Sequence, residues 1–393
     1  MKSTSLIYAL IILIMLCSQS LFARPEYAAK LSLVNCQTCH YSPAGAGPRN
    51  ETGTFYGWRS KEALWDKERK YFHLDMRMNA LYPQKPDQNN NGFALMGATA
   101  GITVPVTPQQ QSIPTVLVMT YDMGTLGANG ARDAYIQFPN DQVGTFTVGR
   151  ILAPFGLITD EHRAFTRLQT KTTINNFEMG VMYSKDFSAF IHVDAAITTG
   201  FAQGGTFTAG NATTPEETSA GFLNLRIKPW SFPGFIGLSY SNSQSLIVKD
   251  VQALSAYMAV APMSWPVYLL IEGVGAQGWN NQKYNAMNLA QFVTDPTVQA
   301  ALEKGRSIGA GAEIGWEINP WWTFQYRYDR MILDRNYDGD AFQRHGIGFK
   351  HFVTATTNVL VRYEKAVSSV NEVPMETVRA NKDSFYLILS SWL

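Results

Sequence analysis

The chain has 393 residues, a formal net charge of +1, 16% charged residues and 12% aromatic residues. A net charge so close to zero gives no basis for nucleic-acid binding or for a polybasic membrane-surface patch, so no nucleic-acid partner is expected. Few charges combined with many aromatic residues are more typical of β-strands than of helices.

The first 23 residues have the order of a secretory signal peptide. Lys2 precedes the apolar run LIYALIILIMLC (residues 6–17), and SQSLFA (residues 18–23) predicts cleavage after Ala23. The apolar run is shorter than the roughly 20 residues that a membrane helix needs. We therefore expect an exported protein whose two remaining cysteines lie in one motif.

That motif is NCQTCHYSP (residues 35–43), with Cys36, Cys39 and His40 in the spacing Cys-x-x-Cys-His. The spacing is the attachment signature of c-type haem, in which both sulfurs bind the vinyl groups and the adjacent His binds the iron. A zinc site would need a second ligand pair, and a thioredoxin-like redox pair would need a βαβ unit. A plain disulfide is the alternative without a cofactor. We predict one covalent haem c on Cys36 and Cys39, with His40 as the proximal iron ligand.

Residues 24–71 form the predicted haem segment. A short helix is expected over 27–34, a loop rich in Gly and Pro over 42–53, and helical charge spacing is present over 58–72. A segment of roughly 45 residues buries little surface on its own. It would therefore gain stability inside a surrounding wall, which the lumen of a barrel can supply.

From residue 72 to the C-terminus, polar and apolar residues alternate with period two. WTFQYRYDR (residues 322–330) shows the pattern, and HLDMRMNALY (73–82), LNLRIK (223–228) and NVLVRYEK (358–365) repeat it. Such alternation predicts strands with one polar and one apolar face. The predicted strands are 72–82, 92–106, 114–123, 132–138, 143–150, 176–185, 187–199, 218–229, 235–246, 249–261, 267–279, 307–318, 321–332, 342–353, 357–366 and 384–393.

The connections between these strands alternate in length. Odd-to-even connections include the long segments 152–174, 201–217, 280–306 and 367–383, whereas even-to-odd connections such as PNDQ, KD and NPW are short. Long outer loops, short inner turns and tryptophans at the turns (Trp230, Trp265 and Trp321) are typical of porin-type barrels.

The predicted fold is therefore all-β. We expect a transmembrane antiparallel β-barrel of about 16 strands over residues 72–393, with its polar face lining a water-filled lumen. The last strand, SFYLILSSWL (384–393), places Phe385, Leu387, Leu389 and Leu393 on one face. It resembles the C-terminal strand that outer-membrane barrels present to their assembly machinery.

Strand parity selects a candidate for the second axial ligand of the haem. His73 shares the predicted luminal face of the first strand with Asp75 and Arg77, while Met76 and Met78 face lipid. We predict His73 as the sixth iron ligand; the alternatives are an unliganded luminal His or an open iron position. Met96 is a further candidate near in sequence. His192, on the luminal parity with Asp194, is a remote alternative, and the parity of His345 and His351 is not decided by the sequence.

Two other patterns imitate metal sites. DQNNNG (87–92) and DRNYDG (334–339) resemble the start of a calcium loop, but Ala98 and His345 stand where the twelfth-position Glu belongs, which favours turns. Asp160, Glu161 and His162 can bind a metal ion at the barrel mouth, although a charged surface loop is the simpler interpretation.

CQTCH (residues 36–40) followed by a porin-like barrel resembles the fused cytochrome–porins of the bacterial outer membrane, whose members include iron-oxidising cytochromes. GTFTVGRILAPFGL (144–157) is similar to strands of phosphate-selective-type porins. The resemblance implies an outer-membrane protein, surrounded by lipid, whose haem passes electrons between a small external donor such as Fe(II) and a periplasmic carrier such as a c-type cytochrome. It leaves open whether the protein is an Fe(II)-oxidising enzyme. The alternatives are a passive porin with an N-terminal plug and a barrel that anchors a haem domain in the periplasm.

Overall fold

A computed structural model of the chain describes the barrel and one segment that folds against its inner wall. The described residues are 72–83, 92–106, 115–123, 129–140, 142–159, 164–170, 177–199, 219–244, 251–262, 265–277, 306–319, 321–332, 341–354, 357–368 and 383–392. The predicted signal peptide, Cys36, Cys39 and His40 lie outside these residues, as do the calcium-like turns before Gly92 and after Ile332, and residues 160–162.

Sixteen strands close into one antiparallel barrel, in which each strand pairs with the next and the last pairs with the first. The strands are β1 Phe72–Pro83, β2 Gly92–Pro105, β3 Val116–Met123, β4 Asn129–Phe138, β5 Thr145–Leu152, β6 Phe177–Ser188, β7 Ile191–Thr198, β8 Ser219–Ile227, β9 Gly234–Gln244, β10 Val251–Val260, β11 Val267–Gln277, β12 Arg306–Asn319, β13 Trp322–Ile332, β14 Ala341–Thr354, β15 Thr357–Ser368 and β16 Ser384–Trp392. The described residues also include a short helix, α1, over Phe165–Thr170.

The predicted fold class is confirmed, including the number of strands. Closure gives every strand two neighbours, so no sheet edge is left unpaired, which is what a sheet surrounded by lipid requires. Among the described residues, no helix is both long enough and apolar enough to cross a membrane.

Side-chain alternation follows the prediction in most of the strands whose side chains are described. In β13, Thr323, Gln325, Arg327 and Asp329 are buried on the inward face, whereas Trp322 and Tyr326 are exposed. The same alternation holds in β8, where Asn224 and Arg226 are buried between exposed Leu223 and Ile227, and in β15, where Asn358, Arg362 and Glu364 are buried. The apolar side chains form the outer surface of the barrel, and the polar ones line its interior.

The predicted alternation of connection lengths is also observed, with one error at the turn between β6 and β7. The segment KD was predicted as this turn, but Asp186 still belongs to β6, and the turn consists of Ala189 and Phe190. A register shift between Asp186 and Ser188 adds one residue to the end of β6. The residues on either side of the bulge, Asp186 and Ser188, are both polar. The period-two pattern of the sequence therefore does not reveal the extra residue between them.

A second register shift places two charged residues on the inward side of β4. Met119 of β3 pairs with Ala134, whereas Tyr121 pairs with Ala131, so Thr120 stands opposite both Arg132 and Asp133. Both charged side chains are buried. The Thr120 hydroxyl donates to Asp133 Oδ2 at 2.8 Å and accepts the Asp133 N–H at 2.9 Å, which fixes the bulge.

The prediction that residues 152–174 form an outer loop is wrong for the described part of this segment. Residues 152–158 and 164–166 are buried, and they contact the opposite wall of the barrel. The physical reason is their composition, since LAPFGLI is apolar and gains free energy by leaving water.

Candidate functional site: a segment inside the barrel

The segment that folds into the barrel, here called the inner segment, comprises residues 153–159 and 164–170. It leaves β5 at Leu152 and bends at Gly156, whose φ of 64° lies in the left-handed region that glycine adopts without strain. At this bend the Gly156 N–H donates to Ser239 Oγ of β9 at 2.9 Å. Because β5 and β9 are four strands apart, this bond ties the segment to a distant part of the wall.

Glu272 of β11 is the main anchor of the inner segment. Its Oε1 accepts the Leu157 N–H at 3.0 Å and the Ser255 hydroxyl at 2.7 Å, and its Oε2 accepts the Thr166 hydroxyl at 3.0 Å. One buried carboxylate therefore holds both parts of the segment and also bridges to β10. An ionised carboxylate suits this role, because all three partners are donors.

Helix α1 packs against β11, β12 and β13. Its first side chain, Phe165, is fully buried, and the Arg344 guanidinium lies 4.7 Å from the centre of its ring. A helix of six residues is not stable on its own. Its conformation therefore depends on this packing and on the Thr166 bond to Glu272.

A cleft of about 370 Å³, which includes space open to solvent, lies between the inner segment and the wall. Leu157, Thr159 and Thr166 line one side, and Glu272, Glu313 and Arg327 are among the wall residues that line the other. Glu313 Oε1 accepts the Tyr268 hydroxyl at 2.8 Å and the Gln325 amide at 3.2 Å. The cleft thus combines apolar surface with fixed charges of both signs.

Charges of alternating sign cross β13, β14 and β15 behind the inner segment; we call this row the arginine ladder. Asp329 Oδ2 lies 2.8 Å from Arg327 Nε and 2.9 Å from an Arg344 nitrogen. Glu364 lies 3.5 Å from Arg344 and 3.6 Å from Arg362. All five side chains are buried, so each charge is compensated by a neighbour rather than by bulk water.

A second polar network centres on His192 of β7. Its Nδ1 lies 2.6 Å from Asp186 Oδ1 and its Nε2 lies 2.8 Å from Asp194 Oδ1. Asp194 also accepts from Arg226 and from the Asn224 amide. Since both ring nitrogens face carboxylate oxygens, both must carry a proton to make these bonds.

The His192 network is connected to the inner segment. Asn224 Oδ1 accepts the hydroxyls of Ser239 and Tyr257, and Ser239 in turn accepts the Gly156 N–H. The Tyr257 ring lies across Gly237, its partner in register, where an added Cβ would be 2.0 Å from Cζ. Glycine at this position therefore lets the tyrosine lie flat on the wall and reach Asn224.

The structure distinguishes among the predicted haem ligands. His192 is on the luminal face with Asp194, as predicted, but both its nitrogens are occupied. His345 and His351 lie on the outward face, where His345 Nδ1 is 2.9 Å from the Tyr326 hydroxyl and His351 stacks on Trp322. None of the histidines whose side chains are described is therefore free to bind an iron in the lumen.

His73 stays a prediction. Its backbone pairs with Gly101 of β2, which is buried between half-buried Ala100 and exposed Ile102. The side chain of His73 is outside the described part of the chain. Within that part, no group of three or more His, Cys, Asp or Glu side chains is arranged to hold a metal ion.

Glu272, Ser239 and the inner segment were not predicted from the sequence. Glu272 stands alone in the apolar stretch YLLIEGVGA, where a buried acid is costly unless donors surround it. The apolar run LAPFGLI directly after β5 is unusual for a solvated loop. These two signals together could have indicated a segment buried against β11.

No protein-family model matches the sequence, and no curated protein is similar to it in sequence. Solved structures are similar in fold. The outer-membrane channel DcaP of Acinetobacter baumannii matches with 11% identity and a TM-score of 0.55, over 82% of this chain and 96% of that chain. OmpF of Salmonella typhi matches with 10% identity and a TM-score of 0.56, over 82% and 97%. An anion-selective porin from Comamonas acidovorans matches with 8% identity and a TM-score of 0.55, over 82% and 98%. At these identities the likeness shows the fold alone, and the chain has a porin-like transmembrane β-barrel.

Proposed function

We propose that the protein is an outer-membrane diffusion channel for small hydrophilic solutes. The observation that carries the proposal is the inner segment, which Glu272 and Ser239 hold across a closed barrel with a polar interior. The porin-like fold supports the outer-membrane placement. A passive porin is also the function that the sequence offers as the alternative to an electron conduit.

Solute size is the property that this geometry would select. The inner segment occupies part of the lumen, and the cleft beside it has mixed apolar and charged walls. The arginine ladder pairs three arginines with two acids, so its net charge is only +1 and gives the lumen no strong overall sign. We infer a channel that sorts solutes by size more than by charge.

The test is reconstitution of the full-length protein into lipid bilayers. Stepwise ionic conductance is expected, together with osmotic swelling of loaded vesicles in small sugars but not in large oligosaccharides. A folded, inserted barrel that neither conducts ions nor admits small sugars would contradict the channel proposal.

We further propose that residues 24–71 carry one haem c, which would make the channel a fused cytochrome–porin. The support is the motif of Cys36, Cys39 and His40 in an exported chain. Cys36 and Cys39 would hold the haem and His40 would bind its iron. His73 is the second ligand we favour, because the described side chains of His192, His345 and His351 are engaged or face outward.

When bound, the haem supplies reversible one-electron transfer. The protein would then pass electrons between a small external donor, such as Fe(II), and a periplasmic carrier such as a c-type cytochrome. The barrel would exclude larger donors, because the lumen limits what can approach from outside. The haem proposal adds electron transfer to the channel proposal, and the channel proposal does not depend on it.

A haem stain after denaturing electrophoresis separates the two proposals. Covalent stain is expected for the wild type and not for Cys36→Ala/Cys39→Ala, while bilayer conductance is retained in both.

His73→Ala is expected to change the absorption spectrum of the haem; an unchanged spectrum would remove His73 as a ligand. Failure of external Fe(II) to reduce a stained haem in intact cells would overturn the conduit and leave the channel.

A further inference from the structure

His192 lies near the end of the barrel that carries the short turns, on the inward face of β7. It is the second residue of this strand and follows the turn of Ala189 and Phe190. Its side chain is fully buried, and of the three histidines whose side chains are described it is the one that faces the lumen. Histidine ordinarily changes its charge between about pH 5 and pH 8, so the wall of the proposed channel contains a group that can respond to pH.

Two carboxylates hold the His192 ring from opposite sides. Asp186 Oδ1 of β6 lies 2.6 Å from Nδ1, and Asp194 Oδ1 of the same strand as the histidine lies 2.8 Å from Nε2. A neutral imidazole has one N–H and one lone pair, so it can donate to only one of these two oxygens. The imidazolium has two N–H groups and matches the geometry. The observed position of Asp186 therefore corresponds to a positively charged His192.

The two carboxylates differ in their access to water. The Asp194 side chain is fully buried and also accepts hydrogen bonds from Arg226 and from the Asn224 amide. The Asp186 side chain is 47% exposed, at the end of β6 where the register shift precedes the turn. When His192 loses a proton, the Nε2–H bond to buried Asp194 is the one that must be kept, because water cannot replace it. Nδ1 then presents a lone pair to Asp186, which turns toward water.

The charges around His192 can be counted from the neighbouring strands. The charged inward residues are Asp186 of β6, Asp194 of β7, Arg226 of β8, which is the register partner of His192, and Lys228 just beyond β8. The nearby inward residues of β5 and β9, Thr147 and Ser239, are uncharged. The imidazolium, its two acids and Arg226 sum to zero, and loss of the proton changes this sum to −1. Lys228 is positive in both states and adds only a constant charge.

We propose that His192 and Asp186 together form a pH-dependent determinant of ion selectivity at the short-turn end of the lumen. While His192 carries two protons, Asp186 is bound to the wall and its charge is balanced. As the pH rises and one proton leaves, Asp186 is released and the wall gains one negative charge. Cations are then favoured more strongly, because a fixed negative charge in a narrow passage attracts them. The inference rests on the proposed channel function, since ion selectivity requires conduction.

The first test is the reversal potential of the full-length protein in a salt gradient, measured from about pH 5 to about pH 9, where ordinary carboxyl, lysine and tyrosine groups do not change charge. The wild type is expected to shift toward cation preference as the pH rises. His192→Gln offers one donor and one acceptor at every pH. It should lose this shift and keep the cation preference that the wild type has at high pH. His345→Gln, on the outward face, is the matched control and should keep the shift.

The second test follows the His192 ring directly, by nitrogen NMR of the histidine-labelled full-length protein in detergent. The signal that is missing in His192→Gln identifies the ring, and a change of protonation state is expected between about pH 5 and pH 9. Asp186→Asn removes one of the two carboxylates that hold the proton, so both this change and the shift in reversal potential should move to lower pH.

Three outcomes would overturn the inference: the same pH-dependent shift in His192→Gln and in the wild type, a His192 ring that keeps one protonation state over the whole range, or a titration that Asp186→Asn does not move. Conductance separates this inference from the channel proposal. A barrel that conducts with a selectivity independent of pH contradicts the inference alone. A folded barrel in which His192 titrates as expected but which does not conduct contradicts the channel, and its selectivity with it.

Discussion

At the scale of single residues, the inner segment depends on a few polar atoms. Glu272 accepts hydrogen bonds at both carboxylate oxygens, and Gly156 supplies the bend that brings the segment to Ser239. A buried acceptor with three donors is costly to disturb, since each donor left unpaired loses both its bond and its hydration.

Glu272→Gln should loosen the inner segment. Glutamine keeps the size of the side chain but has one acceptor oxygen, so at least one bond to Leu157, Ser255 or Thr166 is lost at about 1–3 kcal/mol. We expect larger and noisier single-channel conductance and a lower unfolding temperature. Glu313→Gln removes the same charge from the same cleft without touching the segment. If both variants change conductance equally, charge and not anchoring explains the effect.

Gly156→Ala tests the bend. A non-glycine residue at φ 64° costs about 1–2 kcal/mol, and the Gly156 N–H would shift away from Ser239. The unfolding temperature should fall and the conductance should become less uniform. Gly275→Ala is the control, because an added Cβ there meets no atom within 4 Å. Identical behaviour of the two variants would show that the bend carries no strain.

The sequence predicts which face each charged residue occupies but not its partner. Arg327 and Asp329 follow the parity of β13, and parity is a local property of the strand. The bond from Arg344 to Asp329 depends on the register between β13 and β14, which the alternation within a single strand does not specify. Bulges such as the one opposite Thr120 alter that register without a signal in the alternation.

At the scale of elements, strands were predicted well and the inner segment was not. A strand of this barrel is specified by its own alternating residues, and its length is limited by the membrane. Helix α1 has six residues and no such periodic signal. Its existence depends on contacts with β11, β12 and β13, which are about 100 residues or more away in sequence.

Phe165→Ala tests how α1 is held. The change removes a fully buried ring from beneath the Arg344 guanidinium, and comparable truncations in protein cores cost about 3–5 kcal/mol. Hydrogen exchange of residues 164–170 should accelerate strongly, while exchange of the barrel strands stays slow. Phe187→Ala is the control, since Phe187 is 60% exposed on the outward face. Unchanged exchange in α1 would show that the Thr166 bond to Glu272 holds the helix without the ring.

At the scale of the whole molecule, the barrel separates two surfaces with opposite requirements. The outward surface is apolar along most of its height, and exposed cations such as Arg306, Arg330 and Lys365 lie near one rim. The inward surface groups acids with bases, because the charged side chains of the arginine ladder are buried and a buried charge needs a partner. Ion selectivity therefore depends on the sum of the inward charges, not on any single one.

Arg344→Gln tests this balance. The change removes the cation shared by Asp329 and Glu364 and leaves each acid with one arginine, Arg327 or Arg362. Breaking a buried charge group costs about 3–5 kcal/mol, so the unfolding temperature should fall. The lumen loses one positive charge, which should shift the reversal potential in a salt gradient toward cation preference. Arg330→Gln is the control: it removes the same charge from the outward face and should leave the reversal potential unchanged. An equal shift in both variants would mean that the net charge of the protein, rather than the charge inside the lumen, determines ion selectivity.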